Sequence, residues 1–195
     1  MKFLYWKMIR SVRQFKLQFV SVLLLAMLSV VIYSGLEGIW RGIEYEFDSF
    51  ANETDLADEW VSAVYFTSDD VDAIKQMNGV SGVSQRLRIT VSSPSDDSSD
   101  TYLCLDTVGD ESISSMKLVS GKKYDKNLTD SVWLDRDYVE ENGISAGQMI
   151  DISYNGNTVR TTVAGVVMSA EKAHYIGTTD NYIPEHNKYG YGFMS

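Results

Sequence analysis

The residues that could do chemistry are few. Only two histidines occur, His174 and His186, twelve residues apart with Glu171, Asp180 and Glu185 near them. Imidazole and carboxylate in one stretch permit a metal site. The close helical pair of an HExxH motif, which sets two imidazoles on one helix face, is missing. The expectation is therefore surface or core histidines, with no metal ligand assigned. The run Asp96-Asp97-Ser98-Ser99-Asp100 superficially resembles a calcium loop but lacks its ordered ligand spacing and terminal glutamate. It reads as a solvated hairpin tip. The single cysteine, Cys104, can form neither an intramolecular disulfide nor a cysteine-rich zinc site. There is no Walker lysine loop, dinucleotide fingerprint or nucleophile elbow. No catalytic, cofactor-binding or metal residue is assigned. The expectation is a protein that is not an enzyme and needs no cofactor.

The elements that must carry any function are set by charge and hydropathy. Of the net charge of −10, residues 1–16 hold +5 through Lys2, Lys7, Arg10, Arg13 and Lys16, and the rest of the chain holds −15. Phosphate binding needs concentrated positive charge, so nucleic acid is not an expected partner. Residues 17–36, LQFVSVLLLAMLSVVIYSGL, carry no ionisable charge at neutral pH. As a helix, twenty residues reach about 30 Å, the thickness of a bilayer hydrocarbon core. We read 17–36 as a transmembrane helix. A cleaved signal peptide or a buried soluble helix are the alternatives. The stretch exceeds the usual signal-peptide length, and Tyr33-Ser34-Gly35-Leu36-Glu37 makes a poor cleavage site. The basic flank places the N terminus in the cytoplasm and residues after about 37 outside the plasma membrane.

Residues 1–16 form a basic amphipathic juxtamembrane segment, with Phe3, Leu4, Met8, Val12 and Phe15 recurring between the basic residues. It reads equally as an interfacial helix or as a plain positive flank. Residues 37–58 read as a stalk that continues the helix outward. Ile39, Ile43, Phe47 and Phe50 fall three to four apart, and Trp40 and Tyr45 suit the lipid–water boundary. Gly38 and Gly42 weaken the case for an unbroken helix.

Residues 59–195 read as one compact mixed α+β domain. Trp60–Phe66 is a strand by its β-branched and aromatic content. Thr67 and Asp70 have capping-box spacing for a helix ending near Asn78-Gly79. Gly82–Val91 reads as a strand with Arg86 and Arg88 on its polar face, and Thr101–Val108 as its return. Val132–Leu134 is a strand leading to a short helix over 135–142 closed by Gly143. Met149–Tyr154 and Thr158–Val167 form a hairpin through Asn155-Gly156-Asn157. The stretch 169–195 shows no strong period and looks interrupted at its aromatic-rich end.

In this order the elements resemble the FtsX-like and MacB-like ABC transporter permeases, in which an extracytoplasmic, MacB-like periplasmic core domain follows the first transmembrane helix. Three stretches carry the resemblance: WKMIRSVRQFKLQFVSVLLL, DDVDAIKQMNGVSGVSQRLRI, and KLVSGKKYD together with DSVWLDRDYVEENGISAGQMIDISYNGNTVRTTVAGVV. The resemblance implies an ABC ATPase subunit and a second permease subunit or half as partners, beside the lipid bilayer. It implies a peptide, lipoprotein or drug as substrate, or a signal passed outward, with ATP hydrolysed only in the partner. Arg10, Arg13 and Lys16 are the candidate membrane-interface residues, and Ile39, Trp40, Ile43 and Phe47 the candidate coupling residues of the stalk. Members carry three further spans near the C terminus, which nothing after Leu36 supplies. The resemblance thus implies the N-terminal part of a longer permease, its domain incomplete at the C terminus. The alternative is a complete single-pass membrane protein with an extracytoplasmic ligand- or partner-binding domain.

Overall fold

A computed structural model describes residues 2–94, 100–109, 112–178, 180 and 182–195. The candidate calcium run at 96–99 lies outside these residues. The chain divides into two compact units, residues 1–49 and residues 50–195.

In the first unit, helix α1 (Lys2–Gln14) is followed at Phe15 by α2 (Lys16–Glu53), whose last turn belongs to the second unit. The Val12 side chain lies outside the described atoms. Helix α2 runs for 38 residues and is long and apolar enough to cross a membrane. Its Ser21 and Ser29 hydroxyls donate back to the carbonyls of Leu17 and Leu25, each at 2.9 Å, so they present no unpaired donor to lipid. The helix does not break at Gly38 or Gly42. The chain has an N-terminal membrane anchor, and the part that follows the span is extracytoplasmic.

The second unit is a mixed α+β domain built on a closed β-barrel. Its strands are β1 (Arg88–Ser93), β2 (Thr101–Thr107), β3 (Lys117–Gly121), β4 (Ser131–Asp135), β5 (Met149–Tyr154), β6 (Asn157–Met168) and β7 (Tyr189–Met194). Strand order is β3-β6-β4-β7-β2-β1-β5, and β5 pairs again with β6 to close a ring from which β3 extends at an edge. Length makes this possible: the twelve residues of β6 pair with β5 over 157–162 and with β4 and β3 over 162–168. The seam is thin, a single β1–β5 partnership at Ser92–Ser153, reinforced by the Ser93 hydroxyl donating to Asp151 O at 2.9 Å.

Alternation along the strands divides the core in two. Val91, Leu103, Leu105, Val132, Leu134 and Val163 fill one cluster, closed by Tyr138 and Val139 from helix α4 (Arg136–Glu141). The opposite face carries Cys104, Trp133, Tyr191 and Phe193, with Leu118, Tyr124 and Tyr175 packed on it. The first cluster fills the barrel interior, as a small barrel requires, and the second covers the outer face of β2, β4 and β7.

Several expectations meet a different outcome. Trp60–Phe66 is not a strand: it has no ladder partner, and Trp60, Val61, Val64 and Tyr65 are exposed. β-Branched content makes a strand only where a neighbour supplies backbone partners. Strand β1 begins at Arg88 rather than Gly82. Within 169–195 lies β7, which sits between β2 and β4. Its signal is a period of two, Tyr189, Tyr191 and Phe193 alternating with Gly190 and Gly192. The glycines are a packing requirement: a Cβ at Gly190 would fall 2.5 Å from the Tyr138 ring, and one at Gly192 2.9 Å from Trp133 O. Elsewhere the local chemistry acts as its spacing predicts. Thr67 and Asp70 form a reciprocal capping box on helix α3 (Ser68–Lys75). Asn155 and Gly156 turn the β5–β6 hairpin at φ +48° and +80°.

Candidate functional site

Arg10 and Arg13 lie in α1 and Lys16 opens α2, all on exposed positions. Ile39, Trp40, Ile43 and Phe47 are exposed along α2, which buries none of its side chains. Their spacing sets them along one helix, and none of the four is buried among the described residues.

The end of α2 is different. Its last turn is built into the second unit. Thr54 is 2% exposed, and its hydroxyl back-bonds to Phe50 O at 2.9 Å. Asp55 turns the chain at φ +50°. Ser114 N then donates to Asp55 O at 2.7 Å and Ser115 N to Thr54 O at 2.8 Å, while Ser114 Oγ accepts from Ala57 N at 2.9 Å. Lys117 Nζ reaches Glu53 at 2.7 Å and lies over the Phe50 ring. Beside this turn, within the second unit, a cavity of about 390 Å³ is lined by Thr54, Met116, Leu118, Lys123, Tyr124 and Val167. A second, more apolar cleft lies between α3 and the unpaired 63–66 segment, lined by Tyr65, Phe66, Ala73, Ile74 and Met77.

Two polar clusters sit on the barrel's outer face. In the first, Asp106 is completely buried and takes Arg88 on both oxygens, at 2.6 and 2.9 Å. Lys172 Nζ approaches Asp106 Oδ2 at 3.4 Å and Cys104 Sγ at 3.6 Å. Arg86 pairs with Glu171 at 3.2 Å and donates to the carbonyls of Ile113 and Ser114 at 2.7 and 3.0 Å. The expected polar face of the 82–91 stretch is thus an ion-pair layer under the 170–172 turn. Arg88 is held above its ordinary pKa, by its bonds to Asp106 first.

The second cluster joins parts of the chain some fifty residues apart. Asp135 ends β4 and caps α4, accepting from Tyr138 N at 3.3 Å. Burial pushes its carboxyl pKa up, against hydrogen bonds from Tyr191 and Tyr138 N–H that pull it down. Asp137 stands half-exposed in α4, with one oxygen, Oδ1, taken by Arg136 at 2.8 Å. His186 enters from the segment before β7. Its carbonyl accepts from Asn142 Nδ2 at 3.1 Å, and its Nδ1 lies 4.0 Å from Asp135 Oδ2. Donor atoms of Asp135, Asp137 and His186 all lie within 4.8 Å of one another. His174 is exposed and joins no such group among the described residues. Sequence spacing missed this cluster because two of its members come from a strand–helix junction remote from either histidine.

No protein-family profile matches the chain, and no curated protein matches it. Among solved structures, the extracellular domain of the noncanonic ABC-type transporter YknZ from Gram-positive bacteria is similar at 14% identity and a TM-score of 0.43, covering 66% of this chain and 62% of that one. The chain thus spans a little under two thirds of the length of that domain.

Proposed function

We propose that this chain is the anchor and extracytoplasmic part of an ABC transporter permease of the FtsX-like or MacB-like kind, coupling a partner ATPase to its exterior domain. The observation that carries the reading is the end of α2. The same helix that supplies the membrane span finishes in a turn locked by backbone hydrogen bonds to residues 114 and 115 of the domain. The three stretches of family resemblance, including the basic start before the span and the 117–167 element, support it. ATP is hydrolysed by a separate subunit, and a second permease subunit or half completes the membrane part. The coupling residues are Ile39, Trp40, Ile43 and Phe47, and the interface residues Arg10, Arg13 and Lys16.

The test is the ATPase rate of the full complex in nanodiscs with R10E/R13E/K16E. Loss of most of the permease-dependent rate, at normal topology and assembly, is the expected result. An unchanged rate removes the coupling role. The exposed apolar cleft at 63–77 favours a second reading, a domain that binds a partner outside the membrane. Failure of any ATPase to co-purify with the chain would leave that reading in place.

A further inference from the structure

Asp135 is a buried carboxylate with no Lys or Arg nitrogen in ion-pair range among the described residues, and His186 Nδ1 lies 4.0 Å from its Oδ2. At 4.0 Å that contact is too long for a hydrogen bond. His186 Nδ1 is itself inaccessible to solvent and has no hydrogen-bond partner among the described residues. A buried polar nitrogen without a partner costs about 1–3 kcal/mol. A proton bridge between the two atoms would draw them about 1 Å closer. Two ligands of a tetrahedral ion, each about 2.0–2.2 Å from it, stand roughly 3.4 Å apart, so an ion here would draw the pair about 0.6 Å closer. Asp137 supplies a third donor atom, within 4.8 Å of the other two.

From this geometry we infer that Asp135, Asp137 and His186 form a binding site for a divalent transition-metal ion of the zinc type. Two carboxylates and one imidazole match the borderline preference of zinc. Calcium, which takes six to eight oxygens, is poorly served by three donors of which one is nitrogen. The ligand frame is held independently of any ion. Asp135 is held by the Tyr138 N–H it accepts from. The His186 backbone is fixed by Asn142 and by the turn in which Lys188 N and Tyr189 N donate to Glu185 O. Such outer contacts orient metal ligands. An ion there would clamp the segment leading into β7 onto the junction of β4 and α4. The inference does not depend on the permease reading.

The test is Zn²⁺ titration of the chelator-stripped full chain in nanodiscs, followed by calorimetry and by the visible spectrum of the Co²⁺ form. One saturable site is expected, weakened about tenfold or more by H186Q and by D137N and untouched by H174A. Zinc should also raise the urea midpoint of the parent chain and not that of D137N. D137N changes a half-exposed side chain without altering its shape, so it stays informative if H186Q misfolds. No saturable zinc binding by the folded chain overturns the site. So does binding that survives D137N at full affinity.

Discussion

His186 Nδ1 and Asp135 Oδ2 stand 4.0 Å apart, 51 positions from one another in the chain, brought together because β7 runs antiparallel beside β4. That pairing places the segment before β7 at the end of β4 where α4 begins. Any change that shifts β7 must disturb this contact, so the barrel's integrity and the polar cluster are linked.

The first prediction concerns β7. Gly190→Ala forces a methyl into the Tyr138 ring, which is 1% exposed and cannot swing away. A loss of about 1–3 kcal/mol is expected, the usual cost of overpacking. Gly109→Ala meets open space and should lie within about 0.5 kcal/mol of the parent. Urea midpoints of the two variants decide it, and equal midpoints would contradict the packing account.

Asp106 offers a second. Asp106→Asn leaves Lys172, 8% exposed, and Arg88 without their carboxylate. Breaking a buried pair in this way costs about 3–5 kcal/mol. Lys172→Met leaves Arg88 on both oxygens of Asp106 and should cost clearly less. Comparable losses from the two substitutions would show that Lys172, not Arg88, is the principal partner.

A pH effect follows from the α3 cap. The Asp70 carboxyl is held below its ordinary pKa by bonds from the Thr67 hydroxyl first and the Thr67 N–H second. A depressed folded pKa means stability that is present above about 4, the unfolded value, and is lost as pH falls through the folded one. Residues 68–75 should therefore lose amide protection in acid before the barrel does. Carboxyl titration of Asp70 by NMR checks the shift, and Asp70→Asn should abolish the pH dependence of that protection.

The stalk yields a fourth. In the assembled complex, single cysteines at Ile39, Ile43 and Phe47 should change crosslinking yield to the neighbouring subunit several-fold between nucleotide-free and ATP-trapped states. Yields indifferent to nucleotide would exclude a coupling role for these positions.

Local codes were legible in the sequence because their physics is local. Twenty uncharged residues beside a +5 flank specify a span, Thr67 and Asp70 specify a cap, and Asn155-Gly156 specifies a turn whichever fold surrounds them. The class of the exterior domain, mixed α+β, could be read from the same signals. What failed were statements needing a partner. Trp60–Phe66 has strand composition but no neighbour. The stretch 169–195 shows no strong period, yet the glycines of YGYGFM are what allow Tyr138 and Trp133 to approach. Closure of the barrel rests on the length of β6 and one bridge at Ser92–Ser153, which no periodicity announces.

The sequence by itself therefore determined the anchor, its orientation, the caps and the tight turns, since each is settled by hydropathy, charge or backbone dihedral within a few residues. Only the tertiary structure decided which charges are buried together. Arg88 with Asp106, and Asp135 with Asp137 and His186, owe their proximity to strand order. The free energy of such a group depends on what solvent it loses and which partner it gains, and both are set by chain segments far away.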